Sequence, residues 1–139
     1  MKLSRTVAYA VRATLLLAQA NSGAPVPCSR LASEGRMPER FLLQILRNLV
    51  THGILHSTRG VDGGYSLERK PEDISLLDLI EAIDGPLIAM LPGPEEGERA
   101  TTEKRLREAL DNVNASVRRQ LQAVRISDLL SSQPLAKLA

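Results

Sequence analysis

The chain has 139 residues, 43% of them hydrophobic, so it is long enough for one well-packed domain. Its three aromatic residues (Tyr9, Phe41 and Tyr65) and the lack of tryptophan argue against an aromatic platform for single-stranded nucleic acid. A single cysteine, Cys28, excludes an internal disulfide and a cysteine-rich metal site, and it suits a cytoplasmic protein.

The net charge of +2 combines two unlike halves. Residues 1–70 contain ten Lys/Arg and four Asp/Glu, whereas residues 71–139 contain eight and twelve. Because a basic half attracts polyanions, nucleic acid is the expected partner of residues 1–70, with an anionic membrane surface as the alternative. No stretch of the sequence reaches the ~18 apolar residues of a membrane span.

The first predicted element is a helix over residues 5–20, which Ser4 can cap. A basic start followed by apolar residues imitates a secretion signal, but Arg12 interrupts the apolar run. We therefore interpret this segment as a buried first helix. Its inward face is predicted to contain Val7, Val11, Thr14, Leu15 and Ala18.

A short helix over residues 27–34, a connector at 35–37 and a third helix over 38–52 follow, which is the order of a helix-turn-helix. Leu31 is the expected buried anchor of the short helix. The third helix has an apolar face made of Leu42, Ile45, Leu46 and Leu49. Its opposite face is polar and carries Arg40, Gln44, Arg47 and Thr51, with Asn48 at the margin and Leu43 beside it.

Arginine, glutamine and asparagine are the side chains that pair with base edges in the major groove of DNA. In isolation such a face is more often simply solvated. The neighbouring elements favour DNA recognition, because two strand-like segments at residues 54–59 and 65–69 flank a turn that contains Gly60, Gly63 and Gly64. Arg59 lies at the base of this turn, where a guanidinium suits a narrow minor groove, and the glycines allow the backbone to approach phosphates. The sequence therefore predicts the wing of a winged helix-turn-helix, and double-stranded DNA as its partner.

A fourth helix is predicted from a Ser75 cap through residue 83, followed by a loop that reaches residue 101. The long helix predicted over residues 102–124 carries an apolar stripe of Leu106, Leu110, Val113, Val117, Leu121 and Val124. Such a stripe must be buried, so we expect a homodimer through it. Ser127 is expected to cap a last turn through residue 130, before a frayed tail from residue 133.

The predicted fold is thus mainly α-helical with a small β-hairpin wing. It divides into a winged helix-turn-helix domain (1–86), a flexible loop (87–101), and a dimerisation helix with a C-terminal turn (102–139). No nucleophile–base pair or paired-carboxylate site is recognisable, so an enzyme is not expected. His52 and His56 are spaced like metal ligands, but Gly53 ends the helix between them, and no metal site is expected.

Four motifs occur in an order typical of one family: Tyr9-Ala10-Val11, Pro25-Val26-Pro27, Arg59-Gly60 with Gly63-Gly64-Tyr65, and Ile83-Asp84-Gly85-Pro86. With the initial Met1-Lys2-Leu3-Ser4 they closely resemble the bacterial winged-helix regulators of the Rrf-two (Rrf2) family over residues 1–86. The resemblance implies that the long helix builds a homodimer, the third helix enters the major groove and the wing enters the minor groove. By position these DNA-binding roles fall on Arg40, Gln44 and Arg59.

The chain departs from this family in one respect. Cluster-binding members carry three cysteines after the segment that matches Asp84-Gly85-Pro86, and some add an acidic ligand near the N-terminus. Here residues 87–105 contain no cysteine and position 8 is Ala8. One thiol cannot replace three ligands, so the resemblance implies a member without an iron–sulfur cluster or other cofactor.

The expected function is a homodimeric transcription regulator, a repressor, that binds a near-palindromic operator. A small molecule or a partner protein acting at residues 87–101 would supply its signal, or oxidation of Cys28 would, if the start of the second helix lowers the thiol pKa. The simpler interpretation of Cys28 is a half-buried packing residue. A winged-helix protein–protein adaptor is the alternative function, but an adaptor would not need Arg40, Gln44, Arg47 and Arg59 exposed together.

Overall fold

The computed structural model describes residues 1–20, 23–88 and 97–130. Within these ranges the predicted fold class is confirmed, since six helices accompany one antiparallel β-hairpin. The helices are α1 (Arg5–Ala20), α2 (Cys28–Gly35), α3 (Glu39–Thr51), α4 (Leu76–Asp84), α5 (Glu98–Ala123) and α6 (Ile126–Leu130). The strands are β1 (Leu55–Thr58) and β2 (Gly64–Leu67), and a short 3-10 turn, Pro71–Asp73, precedes α4.

Helix α1 is the centre of the domain and occupies the predicted range. The Val7 amide donates to the Ser4 hydroxyl over 3.1 Å, which is the predicted cap. The helix packs against α2, α3, α4, α6 and β2. Its buried residues are Val7, Ala10, Ala13, Thr14, Leu17 and Ala18. Val11 and Leu15, which were predicted on this face, are only half-buried.

Helices α2 and α3 meet at a sharp turn around Arg36, whose backbone is left-handed (φ 53°, ψ 55°). Leu31 is buried at the centre of α2, as predicted. Pro38 does not open α3 but precedes it with an extended backbone, and its carbonyl accepts the Leu42 amide over 2.9 Å. A proline at this position loses nothing by lacking an N–H. The four predicted core residues of α3, which are Leu42, Ile45, Leu46 and Leu49, are all buried.

The hairpin is shorter than predicted and is fixed to the helical body. Leu55 pairs with Leu67 and Thr58 pairs with Gly64, which has a positive φ of 151° at the turn end of the ladder. Val26, just before α2, exchanges two backbone hydrogen bonds with Tyr65 of β2, at 2.9 and 2.8 Å. The hairpin is therefore held against the start of α2 as well as the end of α3.

Helix α4 begins with a capping box. The Asp78 amide donates to the Ser75 hydroxyl over 3.0 Å, and the Ser75 amide donates to the Asp78 carboxylate over 2.9 Å. This confirms the predicted Ser75 cap. The entry to α4 also contacts the end of α5, because the Leu76 amide donates to the Val124 carbonyl over 2.8 Å.

Helix α5 begins at Glu98, four residues before the predicted start, so residues 98–101 are helical and not a loop. Gly97, with a φ of +76°, occupies the N-terminal cap position, which was not predicted. Helix α6 begins at Ile126, where the Arg125 amide donates to the Asp128 carboxylate over 2.9 Å, so Ser127 is not its cap. The remaining loop residues 89–96 and the tail predicted to fray lie outside the described residues. None of the described helices is both long and apolar enough to cross a bilayer.

Candidate nucleic-acid interface

The polar face of α3 is open to solvent. Arg40, Gln44 and Arg47 are exposed, and Asn48 is half-buried beside them. The Gln44 side-chain amide lies 3.4 Å from the Asn48 side-chain oxygen, so the two amides lie next to each other on the helix surface. Arg40 and Arg47 have no ion pair within the described part of the chain. The face therefore combines free cationic groups with amides that donate and accept, which is the chemistry of a base-reading surface.

The wing presents Arg59 directly after β1, exposed to solvent. Gly60 has a φ of +112° and open space around its Cα, so it can approach a ligand closely. Gly63 and Gly64 also have a role within the protein, beside the predicted contact with phosphates. A Cβ on Gly63 would collide with the Thr58 carbonyl, and one on Gly64 would collide with the Val26 backbone. These two glycines are required by contacts within the protein.

A groove of about 700 Å³ separates α3 from the wing. Arg47 and Thr51 form one wall, Ser57, Thr58 and Arg59 form the other, and Cys28 and Tyr65 lie between them. No acidic side chain is among the described residues that line the groove. Two protein elements that enter a major groove and the adjacent minor groove of DNA have one sugar–phosphate strand between them. The space between α3 and the wing is lined by the cations and hydroxyls that bind phosphate.

Ser57 and Thr58 are not among the site residues predicted from the sequence. Their signal was present in β1, where only Leu55 is buried and the following three residues are exposed. After Leu55, the side chains on both faces of β1 are polar and exposed, so this part of the strand does not pack against the protein interior. Such residues contact either a ligand or solvent, and the alternation of side chains along a strand does not distinguish the two.

Cys28 lies at the start of α2 and at the edge of this groove, half-buried. Its Sγ lies 3.7 Å from the Glu39 carbonyl oxygen. Burial, and then the negative charge of Glu39, raise the pKa of the thiol. A thiol pKa lowered by the start of α2, which was the condition for a redox signal at Cys28, is therefore not supported, and the half-buried position agrees with the simpler interpretation as a packing residue. A raised pKa disfavours the reactive thiolate.

The two histidines have separate partners. His52 Nδ1 lies 2.8 Å from the Asn48 carbonyl oxygen, while His56 lies 3.2 Å from the Glu68 carboxylate across the hairpin. Within the described ranges no group of three or more His, Cys, Asp or Glu side chains is arranged to hold a metal ion.

The predicted dimerisation stripe of α5 divides into two parts. Leu106 is 49% exposed and Val113 is 59% exposed, and Leu110 and Val117 are half-buried. In contrast, Leu121 and Val124 are only 7% and 5% exposed. Leu121 packs within the same chain against Val7, Leu77 and Ile80. The last two residues of the predicted stripe therefore already belong to the protomer core.

The start of the predicted effector segment, residues 87–101, is fixed by a polar network. The Glu81 carboxylate accepts from the Leu87 amide over 2.8 Å and from Arg118 of α5 over 2.7 Å. Asn114 of α5 donates to the Leu87 carbonyl over 2.8 Å. Chiefly because of the Arg118 hydrogen bond, the pKa of the Glu81 carboxyl lies below its usual value. The network joins α4 to α5 next to the segment that leaves α4.

Comparisons with known proteins agree with this geometry. Two Mycobacterium tuberculosis proteins of the helix-turn-helix regulator type are 43% identical over 90 residues, which are 65% of this chain and 56% of theirs. The match thus spans little more than half the length of these relatives. The structure of CymR, the global cysteine regulator of Bacillus subtilis, superposes with a TM-score of 0.76 at 25% identity, covering 96% of this chain and 99% of CymR. The structure of IscR from T. potens superposes with a TM-score of 0.68 at 28% identity, covering 100% of this chain and 93% of IscR.

The family model described as Rrf2, iron-dependent transcriptional regulator, matches residues 3–132. This range includes the winged helix-turn-helix, the hairpin and all of α5. The resemblance drawn from four short motifs therefore extends over almost the whole chain, and the chain belongs to the Rrf2 family.

Proposed function

We propose that the chain is a sequence-specific regulator of transcription that binds double-stranded DNA as a homodimer. The observation that carries this proposal is the exposed polar face of α3 facing a basic, hydroxyl-lined groove and an exposed Arg59 on the wing. Membership of a family of transcription regulators supports it. A regulator that binds the chromosome of a bacterium acts in the cytoplasm.

In the proposed complex α3 enters the major groove. Gln44 and Asn48 are placed to read an adenine edge, and Arg40 and Arg47 to pair with guanine or with phosphate. Arg59 enters the neighbouring minor groove, where narrowing strengthens the negative potential. The sugar–phosphate strand between the two grooves lies in the space between α3 and the wing, where Ser57 and Thr58 donate to phosphate oxygens.

The proposed dimer interface is the N-terminal two thirds of α5. Leu106, Leu110 and Val113 leave apolar surface in contact with water, and a second copy of the helix would cover it. Leu121 and Val124 support the interface from within the protomer. A two-fold dimer places its two α3 helices in successive major grooves about 34–36 Å apart, which explains why we expect a near-palindromic operator. Repression is the proposed mode of action, since occupancy of such a site alone can block transcription.

The family description names iron, but the donor set of this chain does not fit an iron–sulfur cluster. The whole sequence contains one cysteine, and Cys28 lies beside the DNA-facing groove with a raised thiol pKa. We therefore expect the purified protein to be colourless and to bind DNA equally with iron or with a chelator. A visible charge-transfer band from the native protein would contradict this expectation.

The test of the proposed function is selection of DNA by the purified protein. Fragments of bacterial genomic DNA and a random duplex library are incubated with it, and the bound fraction is sequenced and footprinted. A regulator should enrich one near-palindromic motif and protect two half-sites about one helical turn apart. Equal recovery of all sequences would favour the alternative of a protein–protein adaptor.

A further inference from the structure

One arginine of α1 contacts the end of α2 directly and the start of α3 through the Tyr9 ring. Arg12 donates from Nη1 to the Gly35 carbonyl over 2.8 Å, although 23 residues separate them. Its guanidinium carbon lies 5.5 Å from the centroid of the Tyr9 ring. That ring packs edge-on against Phe41, with centroids 5.9 Å apart and planes at 79°. Gly35 ends α2 and Phe41 lies in the first turn of α3, so Arg12 joins the end of one helix to the start of the next.

The turn that Arg12 contacts has a costly conformation. Within the described residues, Arg36 is the one non-glycine residue with a positive φ, and side chains with a Cβ adopt that region reluctantly. Helix α2 has no basic residue in its own last turn. Arg12 supplies from α1 the positive charge that stabilises the carbonyl end of a helix. A Cβ on Gly35 would lie only 3.4 Å from the Cδ of Arg12, so the arginine stem passes closely over this helix end.

We propose that Arg12 is a positioning residue for DNA reading, which fixes the angle between α2 and α3. This inference rests on the proposed function. Phe41 neighbours Arg40 and lies one turn before Gln44, so a change in this angle moves both base-facing side chains. Hydrogen bonds to base edges require distances of about 2.7–3.2 Å, whereas attraction to phosphates tolerates small displacements. Loss of Arg12 should therefore reduce the preference for the operator more than the overall attraction to DNA.

The test compares Arg12→Met, which keeps a long apolar stem but removes the donors and the charge, with the wild-type protein. Dissociation constants are measured at several salt concentrations for a duplex that the wild type selects from a random library and for its scrambled version. Operator affinity should fall about tenfold while affinity for scrambled DNA stays within about twofold, with an unchanged salt slope. Arg12→Lys should recover much of the loss, because an ammonium can donate to the same carbonyl and lie over the same ring.

Two further variants separate positioning from general damage. Phe41→Leu removes the aromatic contact and leaves the bond from Arg12 to Gly35, so it should lower the preference for the operator by a smaller factor. Arg119→Met removes an exposed arginine near the C-terminal end of α5, outside both the proposed DNA-binding surface and the proposed dimer interface, and it should leave the preference unchanged. Circular dichroism of each variant establishes that the measurements are made on folded protein.

Three results would overturn the proposal. Equal weakening on both duplexes with a salt slope reduced by about one would make Arg12 a phosphate contact. An unchanged preference in folded Arg12→Met would show that the turn does not need it. If Arg12→Met does not fold, the proposal is overturned when both Phe41→Leu and Arg12→Lys keep the wild-type preference for the operator over scrambled DNA. A wild-type protein that prefers no sequence would instead refute the proposed function.

Discussion

Helices α3 and α5 carry similar apolar spacing but lie in different surroundings. All four inward residues of α3 are buried within the protomer, whereas Leu106 and Val113 of α5 remain about half exposed. Only the C-terminal end of α5 reaches the core, through Leu121. The comparison teaches that helical periodicity identifies the face that is buried, but not whether the same chain or another copy covers it.

The polar faces of the two helices differ as well. Two arginines of α5 pair with carboxylates, Arg107 with Glu103 at 3.1 Å and Arg118 with Glu81 at 2.7 Å. Arg40 and Arg47 of α3 have no such partner within the described ranges. Cations that are neutralised within the protein contribute to its structure, whereas exposed cations without partners attract an anionic ligand. This difference is consistent with the proposal that α5 serves assembly and α3 serves DNA binding.

The largest effect is expected from disrupting the proposed dimer interface on α5. Leu110→Glu should give folded monomers, because a carboxylate would be buried in the proposed apolar interface. Operator affinity should fall by at least about 100-fold, since the two half-sites are no longer linked. Sedimentation velocity and DNA titration measure both effects.

Leu121→Glu is the matched control for Leu110→Glu. It lies on the same helix, but its side chain is buried against Val7 and Ile80 in the protomer. It should therefore unfold the protein instead of separating the dimer. A folded dimer from Leu110→Glu would refute α5 as the dimerisation helix.

A smaller effect, on protein stability, is expected from substituting the glycines of the wing. Gly64→Ala should destabilise the protein by about 2–4 kcal/mol, because a Cβ there collides with the Val26 backbone at a positive φ. Gly60→Ala should cost less, since its φ is also positive but open space surrounds it. Chemical denaturation compares the two, and equal losses would show that the close contact with Val26 contributes little.

Much of the fold could be predicted because its signals are local. The Ser4 and Ser75 caps, the buried face of α3 and the glycine-rich turn are each encoded within a few residues. The start of α5 was predicted too late because Gly97 was counted as part of the loop. The polar face of α3 was also predictable, since outward and inward residues alternate with the helical period.

The remaining features depend on residues that are far apart in the sequence. Val26 and Tyr65 pair across the domain, and Arg118 reaches Glu81 across 37 residues. No local pattern indicates such pairs, because each residue alone resembles an ordinary surface or loop residue. For the same reason the sequence does not show that Leu121 of α5 is buried in the protomer while Leu106 and Val113 are exposed. The burial of Leu121 depends on Val7, which is far away in the sequence.

The smallest effect is expected from removing the ion pair between Glu81 and Arg118, which measures how much a paired arginine of α5 contributes to stability. Glu81→Gln should destabilise the protein by about 1 kcal/mol at neutral pH, since the partly exposed ion pair with Arg118 is lost. The folded state lowers the pKa of Glu81, so its contribution is present above the usual glutamate value of about 4.3. It is lost as the pH falls through the lower folded pKa, so the difference between wild type and variant should close in acid. Denaturation at several pH values measures this, and a difference that does not depend on pH would contradict the charge assignment.

The central claim is that α3 reads bases while the wing responds to the shape and potential of DNA. Gln44→Ala and Arg59→Ala separate these roles, because an amide pairs with one base edge and a guanidinium in a narrow groove follows the electrostatic potential. Neither side chain is buried, so both variants should fold like the wild type. Arg119→Ala, near the C-terminal end of α5 and outside the proposed interface, serves as the control for the loss of an exposed arginine.

The most direct measurement is a titration of Gln44→Ala against the selected operator and its scrambled version at several salt concentrations, with Arg59→Ala in parallel. Gln44→Ala should lose ~1–3 kcal/mol on the operator and little on scrambled DNA, with one base position relaxed in each half-site. Arg59→Ala should weaken binding to both duplexes and flatten the salt dependence by about one unit if it neutralises a phosphate. An equal loss of affinity on both duplexes for Gln44→Ala would contradict base reading by α3 through this residue.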